Sequence, residues 1–170
     1  MTAIDVLVAD DDEDTRAAIV IAVTSLGYRC RSASDGRAAL EEQAREPAAV
    51  VMTDWGMPHL DGLALCSAVK KAPSPPYVIL MTTVPESAVL FAAMRRGTDH
   101  FLRKPFGLDD LEACLHAAAR LVRGQRGLAD VHKRAVARPP PVPSAAGALA
   151  PLATNLFSPL HRATVRRERQ

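Results

Sequence analysis

The sequence has few cysteines and no long hydrophobic run. Its three cysteines, Cys30, Cys66 and Cys114, are odd in number, far apart and without a Cys-x-x-Cys pair. This pattern argues against a disulfide framework and a zinc site, and it indicates buried thiols in a reducing cytosol. No run approaches the roughly 18 apolar residues of a transmembrane helix, and the first residues lack a basic region before an apolar stretch, so no signal peptide is expected. We therefore expect a cytoplasmic protein without membrane contact.

Acidic residues are scarce in the last part of the chain. Residues 1–120 hold 12 basic and 17 acidic side chains, whereas residues 121–170 hold 9 basic and 2 acidic ones. Such asymmetry predicts an acidic folded part with a basic appendage. Overall, 48% of the residues are hydrophobic and 24% are charged, which is ordinary for a globular protein and argues against wholesale disorder.

Short apolar strands alternate with amphipathic helices along the first 123 residues. This alternation favours an α/β fold, with a parallel sheet that helices cover on both faces. The predicted strands are 4–9, 28–33, 48–53, 77–82 and 100–103, and the predicted helices are 14–26, 36–45, 62–71, 85–96 and 108–123.

The pattern weakens after Arg123. Gly124 and Gly127 interrupt the last helix, and the proline-rich run 139–143 cannot be helical. We therefore predict a folded domain over 3–123 and a basic, Pro/Ala-rich and mostly disordered tail over 124–170.

Polar side chains stand where four of the strands end. Asp10 and Asp11 follow the first strand, Asp54 follows the third, Thr82 ends the fourth and Lys104 follows the fifth. Ligands of open parallel sheets bind at this edge. Three crowded carboxylates repel one another, and their hard oxygens suit Mg²⁺. A lysine there can offset the charge of a phosphoryl group, the threonine can donate to it, and an aspartate can be its nucleophile. Asp54, the lone carboxylate, is the best candidate for that nucleophile.

These residues lie in motifs that resemble the receiver domain of bacterial two-component response regulators, of the chemotaxis-receiver type. The resemblance covers roughly residues 3–122, and the four motifs occur in the family's order and at similar separations. The motifs are Val6-Leu7-Val8-Ala9-Asp10-Asp11-Asp12 with Arg16, Met52-Thr53-Asp54-Trp55-Gly56-Met57-Pro58 with Leu60-Asp61-Gly62, Ile79-Leu80-Met81-Thr82-Thr83, and Phe101-Leu102-Arg103-Lys104-Pro105-Phe106.

The resemblance implies a flavodoxin-like, doubly wound sheet of five strands in the order 2-1-3-4-5. It implies that Asp54 accepts a phosphoryl group from a sensor histidine kinase or a histidine phosphotransfer protein. Mg²⁺ would be bound by Asp11, Asp54 and the backbone carbonyl of Gly56, with Asp10 acting largely through water. Lys104 would contact the phosphoryl group, beside a cis peptide bond to Pro105.

The resemblance also implies a switch that changes partner binding. Thr82 would turn toward the phosphoryl oxygen, and Phe101 would move into the space that Thr82 leaves. The face formed by the helix at 85–96, the strand at 100–103 and the helix at 108–123 would then bind a downstream protein. The chain is expected to be a phosphoacceptor signalling protein rather than an enzyme, although it assists its own phosphorylation and dephosphorylation.

Other interpretations of the acidic run at 10–14 fit less well. A calcium-binding EF-hand loop needs glycine at its sixth position and an acidic residue at its twelfth, where this chain has Thr15 and Ile21. A haloacid-dehalogenase-like phosphatase motif fails at Asp14. For Asp12 to Asp14, the simplest interpretation is a solvated helix start.

The tail leaves two interpretations open. The simpler one is a receiver that acts through protein contacts in a phosphorelay. The alternative is a transcriptional regulator whose basic C-terminal tail binds nucleic acid. Because the tail has one aromatic residue, Phe157, and no recognisable DNA-binding motif, we expect no specific nucleic-acid binding. A homodimer that forms on phosphorylation also stays open.

Overall fold

The computed structural model describes residues 4–83 and 93–137, and five parallel strands run through its centre. Their order is β2-β1-β3-β4-β5, as the resemblance implies. The inner strands are apolar on both sides because helices cover both faces of the sheet. The strands are β1 (Asp5–Ala9), β2 (Arg29–Ala33), β3 (Val50–Asp54), β4 (Tyr77–Thr82) and β5 (His100–Arg103).

Helices connect the strands, and three of them begin at an aspartate. Asp12, Asp35 and Asp61 each accept a hydrogen bond from the backbone N–H three residues later, at 2.7, 2.8 and 2.7 Å. Such N-caps satisfy a donor that the first helical turn leaves unpaired. Within the described residues, the longer helices are α1 (Glu13–Ser25), α2 (Gly36–Arg45), α3 (Gly62–Val69) and α4 (Leu108–Ala137). The predicted helix at 85–96 lies outside the described residues except for 93–96, of which 93–95 are helical.

The core consists of two apolar clusters, one on each face of the sheet. Alternate residues of β1 enter different clusters, with Val6 and Val8 on one face and Leu7 and Ala9 on the other. α1 and α4 cover the first face, and α2 and α3 cover the second. This packing leaves the carboxyl ends of the strands for polar residues. No helix within the described ranges is long and apolar enough to span a membrane.

The last helix is longer than its sequence predicts. It continues through Gly124 and Gly127 to Ala137, so the predicted end at Arg123 and the predicted disorder of 124–137 are wrong. Each helical glycine costs roughly 0.5–1 kcal/mol relative to alanine, yet the helix is continuous through both. Past the sheet, α4 lines a cavity of about 160 Å³ together with the loops 47–49 and 74–76. The rest of the predicted tail, 138–170, lies outside the described residues.

Candidate functional site

A lysine joins two aspartates at the carboxyl edge of the sheet. The Nζ atom of Lys104 lies 2.8 Å from Oδ2 of Asp10 and 2.5 Å from Oδ1 of Asp54. Asp10 follows β1, Asp54 ends β3 and Lys104 follows β5. Three strand ends therefore bring together three of the predicted site residues, as the parallel topology requires.

Asp10 is the most deeply buried charged residue of this group. Its side chain is 1% exposed, and a buried carboxylate is costly unless it is paired and hydrogen-bonded. Oδ1 accepts the backbone N–H of Asp12 at 3.0 Å, while Oδ2 accepts the Lys104 ammonium. Burial lowers the pKa of Lys104, but hydrogen bonds to Asp10 and Asp54 outweigh this effect and leave the pKa above its usual value. The lysine therefore stays charged and holds the acidic edge together.

Asp54 is more accessible than Asp10. Its side chain is 16% exposed, and its Oδ2 atom accepts the backbone N–H of Gly56 at 2.8 Å. These two contacts orient both carboxylate oxygens without enclosing them. The carboxylate is thus fixed in direction and still open to an incoming group.

Gly62 shapes the loop after Asp54, a role that the sequence analysis missed. The loop folds back so that the N–H of Gly62 donates to the carbonyl of Trp55 at 2.9 Å. A Cβ atom at Gly62 would lie 2.1 Å from the backbone oxygen of Asp54, so only glycine fits. The Asp61-Gly62 pair signals a turn, but no sequence signal shows this close approach of two backbone segments.

Thr82 and Phe101 lie on the neighbouring strands β4 and β5. Thr82 is buried, and its carbonyl accepts the backbone N–H of Lys104 at 2.8 Å. Phe101 pairs in register with Leu80 and is half-buried against the cluster under α2 and α3. The peptide bond from Lys104 to Pro105 is cis, as the resemblance implies.

Arg16 and Asp12 hold the loop that carries the acidic residues. Nη1 of Arg16 donates to the backbone carbonyl of Asp10 at 2.7 Å. Asp12 caps α1, and its hydrogen bonds from Thr15 lower the pKa of its carboxyl group. Arg16 belongs to the quoted motif, but its contact with the Asp10 backbone was not predicted. Asp11, between the two anchored aspartates, is exposed.

The residues at this edge fit a magnesium ion in part. Within 4–83 and 93–137, no three His, Cys, Asp or Glu side chains are arranged to hold a metal ion. However, Mg²⁺ usually takes one or two carboxylates, and waters and phosphate oxygens fill its other positions. Asp10 and Asp54 offer hard oxygens, and they already share one cation, the Lys104 ammonium. The roles of Asp11 and of the Gly56 carbonyl stay predictions.

Comparison with known proteins gives a consistent result. The family model of the response regulator receiver domain matches residues 6–116. The transcriptional regulatory protein KdpE of Mycobacterium tuberculosis is 35% identical over 115 residues, which are 68% of this chain and 50% of KdpE. The regulatory protein AtoC of Escherichia coli is 31% identical over 134 residues, which are 78% of this chain and 29% of AtoC. The chain thus spans half or less of the length of these curated relatives.

Solved structures share the fold. NtrX from Brucella abortus superposes with a TM-score of 0.71 at 29% identity, over 76% of this chain and 30% of NtrX. The chemotaxis protein CheY4 of Vibrio cholerae superposes with a TM-score of 0.66 at 24% identity, over 69% of this chain and 99% of CheY4. The second likeness supports the fold alone.

Proposed function

The chain belongs to the response regulator receiver domain family of two-component systems, and from that premise we propose that Asp54 is its phosphoacceptor. The observation that carries the proposal is the contact of Lys104 with both Asp10 and Asp54. This contact places a cation beside an oriented, accessible carboxylate. The proposed donor is a phosphohistidine on a sensor histidine kinase or a histidine phosphotransfer protein.

The charges at the edge explain why a phosphoryl group would need Mg²⁺. Asp10, Asp54 and Lys104 together carry a net charge of about −1 when all three are ionised. Esterification removes the charge of Asp54 and adds a phosphoryl group of about −1.5 to −2, so the local negative charge grows. A divalent cation bound by Asp11, Asp54 and the Gly56 carbonyl, with Asp10 acting largely through water, would offset this growth and the charge of the transferring phosphoryl group.

In the proposed reaction, a carboxylate oxygen of Asp54 attacks phosphorus. A P–O bond forms, the P–N bond of the phosphohistidine breaks, and the departing imidazole nitrogen takes up a proton. The N–H of Gly56 and the ammonium of Lys104 orient the attacking carboxylate. Lys104 then pairs with a phosphoryl oxygen, and it keeps its bond to Asp10 as an anchor. Because Asp10 already holds the ammonium in place, this pairing stabilises charge without a large rearrangement.

The proposed switch uses the strands that meet Lys104. We propose that the Thr82 hydroxyl donates a hydrogen bond to a phosphoryl oxygen and that the Phe101 ring moves into the space that Thr82 leaves. Since β4 and β5 are paired, movement at Thr82 is transmitted directly to the outer strand. β5 has His100 and Arg103 exposed beside α4, and this face is the proposed docking surface for a downstream protein. The predicted helix at 85–96, which would complete it, lies largely outside the described residues.

Phosphorylation with a small donor tests the site. Acetyl phosphate and Mg²⁺ should add one phosphoryl group to the wild type but none to Asp54→Asn, as measured by intact mass. Asp5→Asn is the matched control, because Asp5 begins β1 and so lies at the opposite edge of the sheet from the carboxyl ends of the strands. Equal labelling of Asp54→Asn and the wild type would refute the assignment. In Lys104→Ala we expect slow labelling by acetyl phosphate, and we expect phosphorylation of this variant to leave its binding to partners unchanged.

Nucleic-acid binding is the second candidate, because relatives such as KdpE are named transcriptional regulators. The KdpE match spans 115 residues of this chain and the AtoC match spans 134, so neither covers the whole of the proposed receiver part 3–123 together with the basic segment 124–170. If the tail acts on nucleic acid, removal of 138–170 should abolish binding that survives physiological salt. Binding that collapses on modest addition of salt would reflect charge alone.

A further inference from the structure

A cavity lies at the edge of the sheet where the strands begin, opposite to the edge that holds Asp54. It has a volume of about 250 Å³, and its walls come from the start of β1, the turn between α1 and β2, and the later turns of α4. Asp10 and Asp54 stand where β1 and β3 end. The cavity, which we call the amino-edge cavity, is therefore separate from the proposed phosphoacceptor site.

The turn after α1 brings a phenol group to the amino-edge cavity. Gly27 has a φ of 85°, a left-handed conformation that glycine adopts without strain. The N–H groups of Gly27 and Tyr28 donate to carbonyls in the last turn of α1, at 3.0 and 3.3 Å, and the chain thereby reverses its direction. Tyr28 then lines the cavity, half-buried against the core cluster under α1 and α4. Burial raises the pKa of Tyr28 more than Arg123 lowers it, and Glu112 adds to the rise, so the hydroxyl stays protonated and can donate a hydrogen bond.

One side of α4 lines the amino-edge cavity with basic side chains. His116, Arg120 and Arg123 all belong to its walls. Their spacing of four and three residues places them next to one another along the helix. All three are exposed, so a ligand from solution can reach them.

The two arginines of this side are not neutralised by the protein. Arg29 and Arg31, on β2, each pair with a glutamate, at 2.7 and 3.2 Å. Among the described residues, by contrast, no carboxylate forms an ion pair with Arg120 or Arg123. Neighbouring like charges on a helix repel each other. An anion bound between the two guanidinium groups would relieve this repulsion.

The floor of the amino-edge cavity is apolar. Ile4 and Ala119 are buried, each with 3% of its surface exposed, and Leu26 is half-buried. An apolar group that enters would leave water, while an attached anion would meet the arginines. Because pockets for drug-sized ligands measure about 300–1,000 Å³, a cavity of about 250 Å³ suits a smaller molecule.

We propose that the amino-edge cavity binds a small organic phosphate monoester that carries one apolar ring. A phosphate monoester has a charge of about −1.5 to −2 at neutral pH and three strong acceptor oxygens. The guanidinium groups of Arg120 and Arg123 and the hydroxyl of Tyr28 match these oxygens and this charge. A carboxylate offers two oxygens and a single charge, which fits this set of donors less well. The ring would lie on the apolar floor.

Phenyl phosphate is the probe, because it consists of this anion and one ring. The full chain with Asp54→Asn should bind it at one site in titration calorimetry, and this background prevents phosphorylation at position 54. Adding Arg120→Gln and Arg123→Gln should weaken binding about tenfold or more, since hydrogen bonds to charged groups are each worth at least about one tenfold step. The circular dichroism of this variant should stay unchanged, because both side chains are exposed.

The matched control is Arg95→Gln with Arg96→Gln in the same background. It removes the same charge at two exposed arginines that follow Ala93, a residue of the core cluster on the other face of the sheet. Its Kd for phenyl phosphate should change by less than about threefold. Equal losses of affinity in the two double variants, or no binding of phenyl phosphate at all, would overturn the proposal.

Two further ligands test the chemical class. Benzoate keeps the ring but replaces phosphate by a carboxylate, and inorganic phosphate lacks the ring. Each should bind about tenfold more weakly than phenyl phosphate, through lost hydrogen bonds or lost apolar burial. Benzoate that binds as tightly as phenyl phosphate would refute the assignment to phosphate. With Asp54 intact, Arg120→Gln with Arg123→Gln should keep normal labelling by acetyl phosphate, so a failure of this proposal and a failure of the phosphoacceptor assignment are distinguishable.

Discussion

Replacing Lys104 by methionine should destabilise the fold as well as disable the site. The change removes the ammonium from the Asp10 carboxylate, which is 1% exposed and keeps its hydrogen bond from the N–H of Asp12. Removal of one partner from a buried ion pair costs about 3–5 kcal/mol. Because the Lys104 side chain is 20% exposed, water can reach the gap, and we expect a value near the lower limit, about 3 kcal/mol. For a domain of this size, such a loss lowers Tm by roughly 10–15 °C.

Urea unfolding followed by the fluorescence of Trp55 and by circular dichroism measures this loss. The control is the same substitution in an Asp10→Asn background, where no buried charge remains and the loss should fall below about 1 kcal/mol. Lys71→Met, at an exposed lysine, should have little effect. A loss that is equally large in both Asp10 backgrounds, or below about 1 kcal/mol in the native one, would refute the role of Lys104 as the counter-ion of Asp10.

Three further predictions follow from contacts around the site. The fold raises the pKa of Lys104, so the charged lysine contributes its full stabilisation below the unfolded pKa of 10.5 and loses it as pH rises through the folded pKa. The difference in the free energy of unfolding between the wild type and Lys104→Met should therefore narrow above pH 10.5, as measured by urea titrations. Gly62→Ala should lower the free energy of unfolding by about 2–3 kcal/mol and slow labelling by acetyl phosphate, because the new Cβ would meet the Asp54 carbonyl. Unchanged stability and labelling would contradict this close approach. Asp61→Ala removes the side chain that caps α3 by accepting the Ala64 N–H, and it should lower the free energy of unfolding by about 1 kcal/mol in the same assay. Asp61→Asn, which can still cap the helix, should keep most of that stability.

Much of the fold could be predicted because its strands are apolar on both faces. β3 and β4 contain almost only buried residues, and such short runs between turns and helices indicate a parallel sheet. The strand order followed from the resemblance rather than from periodicity. The approach of Asp10, Asp54 and Lys104 was predictable from topology alone, since parallel strands bring their carboxyl ends to one edge.

Two features of the fold were not predicted, for physical reasons that a local sequence pattern does not show. The end of α4 was misplaced because Gly124 and Gly127 lower helix propensity, yet the helix continues through both of them to Ala137. The constraint on Gly62 was missed because it depends on backbone atoms eight residues away. The approach at Gly62 is a tertiary contact, which a local sequence pattern does not show.

Asp10 and Asp54, which both pair with Lys104, have different surroundings, and this difference gives Asp10 a structural role and Asp54 a chemical one. Asp10 is 1% exposed with a donor on each oxygen, so it anchors Lys104 and is closed to a phosphodonor. Asp54 is 16% exposed, and the amide of an asparagine there could still accept the Gly56 N–H through its oxygen. Asp54→Asn should therefore keep the fold and the Lys104–Asp10 pair intact. A failure of that variant to accept phosphate would then report the loss of the nucleophile rather than the loss of the site's structure.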